Sequence, residues 1–277
     1  MRLCVRTDVC GNDVERVADY CRGMGVHHVW SFPMVAEAYG EDRLMKAPAL
    51  QSYREEWRQR GLHLSAVSEV IEDADLTSEQ GPRAKAASLR SILAAMQAAD
   101  VELLFLVLNI RAGETEDERQ ARWARLAELY RGIVPHAEAT GRRIANHGHQ
   151  TREHLVFSAA EMERLLSLAP SAANGLTFCT GCYQLAGDDL SRWIGRFGRE
   201  RILMVHMRDV RRRAGGGFDE VLFGEGEVDL KAVVKRLKEI NYQGLICPEH
   251  LPRVAYDPFD EIPTAWGMGY LRALLAD

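Results

Sequence analysis

Four stretches of this chain end in side chains that can bind a metal ion. They are Arg143-Ile-Ala-Asn-His147, Gly175-Leu-Thr-Phe-Cys179, Ile202-Leu-Met-Val-His206 and Gly244-Leu-Ile-Cys-Pro-Glu249. Each reads as a short β-strand carrying its polar group at the C-terminal tip. One such residue alone would be an ordinary hydrogen-bonded strand end. Two imidazoles, a thiol and a carboxylate at the same end of consecutive strands are hard to explain as core packing. His147, Cys179, His206 and Glu249 therefore read together as one metal site. A thiolate donor points to Mn, Fe, Co or Zn rather than Mg or Ca. With three or four protein ligands, positions stay open for water or substrate.

Several groups nearby could handle protons or a carboxylate. Arg208 lies two residues past His206 on the same strand face, placed either to grip a carboxylate bidentately or to pair with Asp209. His149, two beyond His147, is a candidate general acid or base, or a partner behind a ligand. Glu69, just past the third strand, could accept sugar hydroxyls. His250 follows Glu249 and points the other way unless the strand has ended. Tyr256 lies in the last βα loop and could reach inward. Cys179-Thr-Gly-Cys182 also has redox spacing, but such pairs usually open a helix in a smaller fold. Cys182 is read as packing, and Thr180-Gly181 as a tight turn.

The elements that must position these groups alternate without a break. Strands are expected at Arg2 to Thr7, His28 to Phe32, Leu62 to Val67 and Val101 to Ile110, then at the four metal-capable stretches. Helical stripes fall between them, as in Val14, Val17, Ala18 and Cys21, or Leu230, Val233, Val234 and Leu237. Thr77-Ser-Glu-Gln80, Thr115-Glu-Asp-Glu118 and Ser158-Ala-Ala-Glu161 have capping-box spacing, and Asp188-Asp189 starts a helix. Residues 33 to 60 form a long connection with a charged middle, Glu41-Asp-Arg43. Gly215-Gly-Gly217 reads as a glycine-rich loop. Eight strand–helix pairs in 277 residues match the length, about 250 residues, at which a parallel barrel closes. Asp8-Val-Cys-Gly-Asn12 is no phosphate-binding turn, which argues against an open doubly wound sheet. The expected fold is one α/β domain over residues 1–277, a (β/α)8 TIM barrel with its active site at the C-terminal ends of the strands.

The bulk numbers exclude other classes. At 47% hydrophobic and 27% charged, the chain has ample core, and a net charge of -5 gives no support to nucleic-acid or anionic-membrane binding. The longest apolar run, Leu103 to Leu108, is far short of the ~20 residues that span a bilayer. No segment resembles a signal peptide, so a cytoplasmic location is expected, with the six cysteines as thiols.

At its candidate site the chain resembles the mannonate dehydratases, members of the wider xylose isomerase-like barrel group. The most specific matches are Asn174-Gly-Leu-Thr-Phe-Cys-Thr-Gly181 with Asp188-Asp-Leu190, and Val205-His-Met-Arg-Asp-Val210. Pro248-Glu-His250 resembles the family's Pro-Asp-His, and Ser68-Glu69, Ile144-Ala-Asn-His147, Gly226-Glu-Val-Asp-Leu230 and the tail from Trp266 are similar. Most of the chain after about residue 60 takes part. The resemblance implies a Mn-type ion at His147, Cys179, His206 and Glu249, dehydration of a six-carbon sugar acid to a 2-keto-3-deoxy acid, and a homodimer. The chain departs from the family in four places. Glu249 stands for a shorter Asp, His147-Gly-His149-Gln150 for His-Pro-Asp-Asp, and Phe223 for a His, and a segment after the fourth strand is largely absent. These departures keep two further readings open: a metal-dependent sugar isomerase or epimerase, and a non-enzymatic barrel that binds a metal or sugar acid.

Overall fold

The structure, a computed structural model, describes residues 1–32, 39–40 and 44–276. The charged stretch Glu41-Asp-Arg43 lies outside the described residues. The first half of the chain runs β1 (Arg2–Arg6), α1 (Val14–Gly23), β2 (His28–Ser31), α2 (Ala47–Gln59), β3 (His63–Glu72), α3 (Gly81–Ala99), β4 (Leu103–Asn109) and α4 (Glu116–Thr140). The second half runs β5 (Arg143–His147), α5 (Ala159–Leu168), β6 (Asn174–Cys179), α6 (Thr180–Ala186), α7 (Leu190–Arg201) and β7 (Ile202–Met207). It closes with β8 (Asp209–Arg212), β9 (Phe218–Val221), α8 (Leu230–Glu239), β10 (Leu245–Pro248) and α9 (Glu261–Ala276). The parallel strands β1, β2, β3, β4, β5, β6, β7 and β10 pair in turn, and β10 returns to β1 to close the barrel. β8 and β9 form a separate antiparallel hairpin between β7 and α8.

Local chemistry explains most boundaries. Thr115 and Ser158 accept from the backbone N–H of Glu118 and Glu161, whose carboxylates accept in return, so α4 and α5 begin at true capping boxes. Asp13, Asp189 and Asp229 cap α1, α7 and α8 in the same way with one bond each. Three expectations need correction. Thr77-Ser-Glu-Gln80 forms no capping box: the box is made by Glu72 and Asp75 around a 3-10 turn, and at the start of α3 Ser78 Oγ accepts only the N–H of Gly81 at 3.0 Å. β3 does not stop at Val67 but runs on to Glu72, because the alternation of lumen and outer residues continues through Val70 and Ile71. Thr180-Gly181 is not a tight turn but the opening of α6, and Gly215-Gly-Gly217 is the tip of the β8–β9 hairpin.

Two apolar layers result. Trp30, Ala66, Phe105, Ala145 and Met204 fill the lumen, while residues of the opposite parity pack outward on the helices. The register sets Cys179 beside His206, and His206 beside Cys247, while His147 pairs with Val107 of β4. The donors therefore share one level of the barrel.

A buried amide ladder holds β5 against β6 just behind them. Asn146 Nδ2 donates to Asn174 Oδ1 at 2.8 Å and to the Gly175 carbonyl at 2.6 Å, and Tyr130 donates its hydroxyl to Asn146 Oδ1. Asn174 Nδ2 in turn donates to the Ala169 carbonyl at 3.0 Å. Truncating Asn146 strands the Tyr130 hydroxyl and part of Asn174 inside the protein. Asn146→Ala should lower unfolding stability by about 1–3 kcal/mol in urea titration, and an unchanged midpoint would show the ladder to be dispensable.

Candidate metal centre

The donors gather over an aromatic floor. Trp30 lies against Phe105 and His206, with ring centroids 4.7 and 5.3 Å apart, and Phe105 lies 5.4 Å from His147 and 5.0 Å from His206. These flat contacts fix both imidazoles by packing rather than by hydrogen bonds. Two donor groups share His147: His147 with His206 and Glu249, and His147 with Cys179 and Cys182, the ligand atoms of each lying within 4.8 Å of one another. All five side chains are buried.

The polar atoms at this point lack protein partners. Among the described residues, His147 Nε2, both ring nitrogens of His206 and Glu249 Oε2 find no hydrogen-bond partner, and all are buried. His206 Nδ1 approaches Glu249 Oε2 to 2.6 Å, yet the two are not aligned as donor and acceptor. His147 Nε2 lies 4.0 Å from the same oxygen. Atoms that converge without bonding one another are arranged as ligands are around a cation. Leaving each orphaned costs about 1–3 kcal/mol.

The charge states agree with that reading. Hydrogen bonding from Cys182 holds the Cys179 thiol well below its usual range, against its burial and with help from His147 and Arg208. Burial opposes ionising Glu249, but His206, His250 and His147 outweigh it and hold the carboxylate well below its ordinary value. Burial likewise opposes charge on His147, and the bond to Cys179 and the field of Glu249 reverse this and raise it. The Cys179 sulfur and the Glu249 carboxylate thus favour positive charge at the imidazole between them, charge that a bound cation would supply in place of a proton. These buried His, Cys and Glu groups are consistent with a divalent metal site.

The remaining candidates are placed unevenly. Arg208 is buried against the centre, with Nη1 3.7 Å from Cys182 Sγ, but its guanidinium is held by Glu220 of β9, with Nε 2.8 Å from Oε2 and Nη2 on the other oxygen. Its partner is not Asp209, whose carboxylate accepts from the backbone N–H of Val210, Gly224, Gly226 and Val228 and so anchors the loop after the hairpin. His149 stacks on His154 with centroids 3.4 Å apart, its Nδ1 buried and unpartnered. His250 follows the end of β10 with a left-handed backbone, φ 49°, which turns its Nε2 to 3.8 Å from Glu249 Oε1. Phe223 packs against Trp266 and Tyr270 and offers no ligand.

Two expected site residues are not brought to the centre. Tyr256 is fully exposed at a left-handed turn, since nothing in its loop packs the ring inward. Glu69 lies inside β3 on the outer face, opposite in parity to the lumen residue Ala66, where Lys85 of α3 reaches it at 3.2 Å and Tyr39 donates to it. Conversely, Arg6 and Glu220 were not singled out from sequence. Arg6 Nη1 lies 3.8 Å from Glu249 Oε1. Both line a cavity of about 410 Å³ at the barrel mouth, together with Phe32, Glu249, His250 and Arg253. A cavity of about 460 Å³ at the opposite end, bordered by Arg2, His28 and His63, touches none of the donors.

Burial, with His154, His147 and Arg208 adding repulsion, lowers the His149 imidazole to about 4. Its unfolded value is about 6.5, so between those pH values the unfolded chain binds more protons. The stability carried by the neutral ring is present at neutral pH and lost as pH falls through this window. His149→Gln should therefore lose less stability than the parent between pH 6.5 and 4, read from urea midpoints. Equal losses would place the ring in a more open setting.

A sequence profile described as xylose isomerase-like TIM barrel matches residues 36–274. The mannonate dehydratase of Oceanobacillus iheyensis is 38% identical over 131 residues, which cover 44% of this chain and 36% of that protein. The chain thus aligns with little more than a third of that relative's length. A crystal structure of an IOLI protein with a binding zinc atom superposes with TM-score 0.79 at 15% identity, covering 100% of this chain and 98% of that one. D-psicose 3-epimerase in the presence of D-fructose superposes with TM-score 0.78 at 17% identity over 100% of both chains. At such identities these two structures speak for the fold. With the profile match extending over most of its length, the chain belongs to the xylose isomerase-like TIM barrel family.

Proposed function

We propose that this chain is a metal-dependent hydro-lyase that removes water from a sugar acid, with D-mannonate as the first substrate to try and 2-keto-3-deoxygluconate as its product. The observation that carries the reading is the Cys179 thiol beside His147, which also belongs to a His147, His206 and Glu249 group whose buried nitrogens and carboxylate oxygen find no hydrogen-bond partner among the described residues. The sugar isomerases of this barrel group use mostly carboxylate and His, so a thiolate favours the dehydratase side. The partial identity to a mannonate dehydratase supports the same choice.

His147, Cys179, His206 and Glu249 would hold the ion, with manganese the first candidate and iron, cobalt or zinc as substitutes. When bound, it supplies Lewis acidity toward the oxygens of the sugar acid. Around it the protein divides the proton work. His149 is neutral at physiological pH and has an unpartnered Nδ1, so it is suited to accept the C2 proton. The electrons of that C–H bond form the C2=C3 double bond as the C3–O bond breaks. His250, at the cavity wall beside Glu249, donates the proton with which the 3-hydroxyl leaves as water. The resulting enol gains a proton at C3 and loses one from the C2 hydroxyl to give the 2-keto acid.

Arg253 supplies the cavity with a cation for the substrate carboxylate, while Arg6, held by Asp8 and 3.8 Å from Glu249 Oε1, serves it only by sharing those partners. Arg208 serves this role only by sharing or exchanging its Glu220 partner. A second reading, a sugar epimerase, is favoured by one specific feature: His149 and Gln150 stand where the dehydratases carry carboxylates next to the first ligand.

Metal-stripped protein incubated with Mn²⁺ and D-mannonate should form 2-keto-3-deoxygluconate, and should form none without added ion. Metal-dependent interconversion of epimeric ketoses, with no keto-deoxy acid from any sugar acid, would replace the lyase by the epimerase.

A further inference from the structure

The sequence carries one motif that the dehydratase reading does not use, Cys179-Thr-Gly-Cys182. Its second cysteine is not merely packed. Cys179 is the N-cap of α6 and Cys182 lies in that helix's first turn, so the two thiols face the same point. His147, Cys179 and Cys182 have their ligand atoms within 4.8 Å of one another. The Arg208 guanidinium lies 3.7 Å from Cys182 Sγ and also acts on Cys179, a positive charge beside a pair of sulfurs. All three donors are buried, and His147 Nε2 has no protein partner.

We propose that Cys182 is a metal ligand, and that the centre offers two overlapping donor sets sharing His147. One is His147, His206 and Glu249, with Cys179 as the fourth ligand proposed above, for a harder ion such as Mn²⁺. The other is His147, Cys179 and Cys182, for a thiophilic ion of the Zn²⁺ or Cd²⁺ class. This rests on the reading of the centre as a metal site, and it adds which ions the site retains and through which residues.

The chemistry of the two ends differs in the way ion selection requires. Two thiolates and an imidazole match the preferences of soft and borderline ions, whereas imidazoles with a carboxylate suit manganese. Two thiolates neutralise a divalent ion, and the Arg208 guanidinium, paired with Glu220, lies 3.7 Å from Cys182 Sγ at the sulfur end. His147 cannot serve both sets at once, so a thiophilic ion at the sulfur end competes with manganese at the other.

The test uses fully reduced, metal-stripped full-length chain under nitrogen, titrated with Co²⁺, Cd²⁺ and Mn²⁺. The sulfur-to-cobalt absorption in the near ultraviolet grows with the number of thiolates bound. It should fall by about half in Cys182→Ala and vanish in the Cys179→Ser, Cys182→Ala double variant. Cd²⁺ affinity should fall at least about tenfold in Cys182→Ala while Mn²⁺ affinity stays within about twofold. Cys182→Ser, nearly isosteric, should behave in the same way and guards against a loss caused by misfolding. A cobalt band and Cd²⁺ affinity that survive both Cys182 variants but collapse in Cys179→Ser would overturn the proposal and leave the four-ligand reading standing. Parallel losses of Mn²⁺ and Cd²⁺ in both Cys182 variants would reduce Cys182 to a structural thiol and overturn it as well. Absence of any ion from the parent would sink the metal reading itself.

Discussion

Sealing two imidazoles, a carboxylate and two thiols away from water, with their free atoms turned toward one another, is unfavourable unless positive charge lies among them. That constraint organises the barrel mouth. Their surroundings shift the carboxylate and the Cys179 thiol toward their ionised forms and the His147 imidazole toward its protonated one. The His206 and Glu249 side chains touch at 2.6 Å without aligning as donor and acceptor.

The rest of the structure keeps the donors from relaxing apart. Trp30 and Phe105 hold the imidazole planes from below, and the Asn146–Asn174 ladder ties β5 to β6 behind His147 and Cys179. Gly181 admits Arg208 next to the sulfurs: a Cβ there would lie 2.6 Å from the Arg208 Cδ. Asp209, with four backbone N–H groups on one carboxylate, fixes the loop behind the β8–β9 hairpin, and the hairpin returns Glu220 to Arg208. The centre is thus built from strand ends, whose positions the closed ladder sets, and is braced by polar contacts of long sequence separation.

The eight barrel strands were legible because they rest on local patterns, as were the strand-end positions of His147, Cys179 and His206, which among the described residues fall into two donor groups sharing His147. Apolar runs ending in a polar tip mark strand ends, and Thr115 and Ser158 announce their helices. What escaped depended on distance or on competition. Glu69 was assigned to the mouth because β3 was ended two turns of the pleat too soon, although Val70 and Ile71 continued its alternation. Thr77 lost its expected box to Glu72 and Asp75, which cap an earlier turn. Gly215-Gly-Gly217 reads as a loop, yet it joins the two strands of a hairpin whose role, carrying Glu220 to Arg208, no local signal discloses. Cys182 was read as packing because its distance from the sulfur and imidazole donors exists only once α6 starts directly at Cys179.

Binding of one divalent ion is the most direct test of this account. Chelator-treated protein, dialysed to equilibrium with Mn²⁺, should take up about one ion per chain and unfold at a higher temperature as the ion concentration rises, since an ion that binds only the folded chain stabilises it by mass action. Replacing both His206 and Glu249 with Ala and Gln should abolish uptake while removing the very repulsion and desolvation that the ion offsets. No uptake by the parent, or uptake unaffected by the double replacement, would contradict the account at its centre.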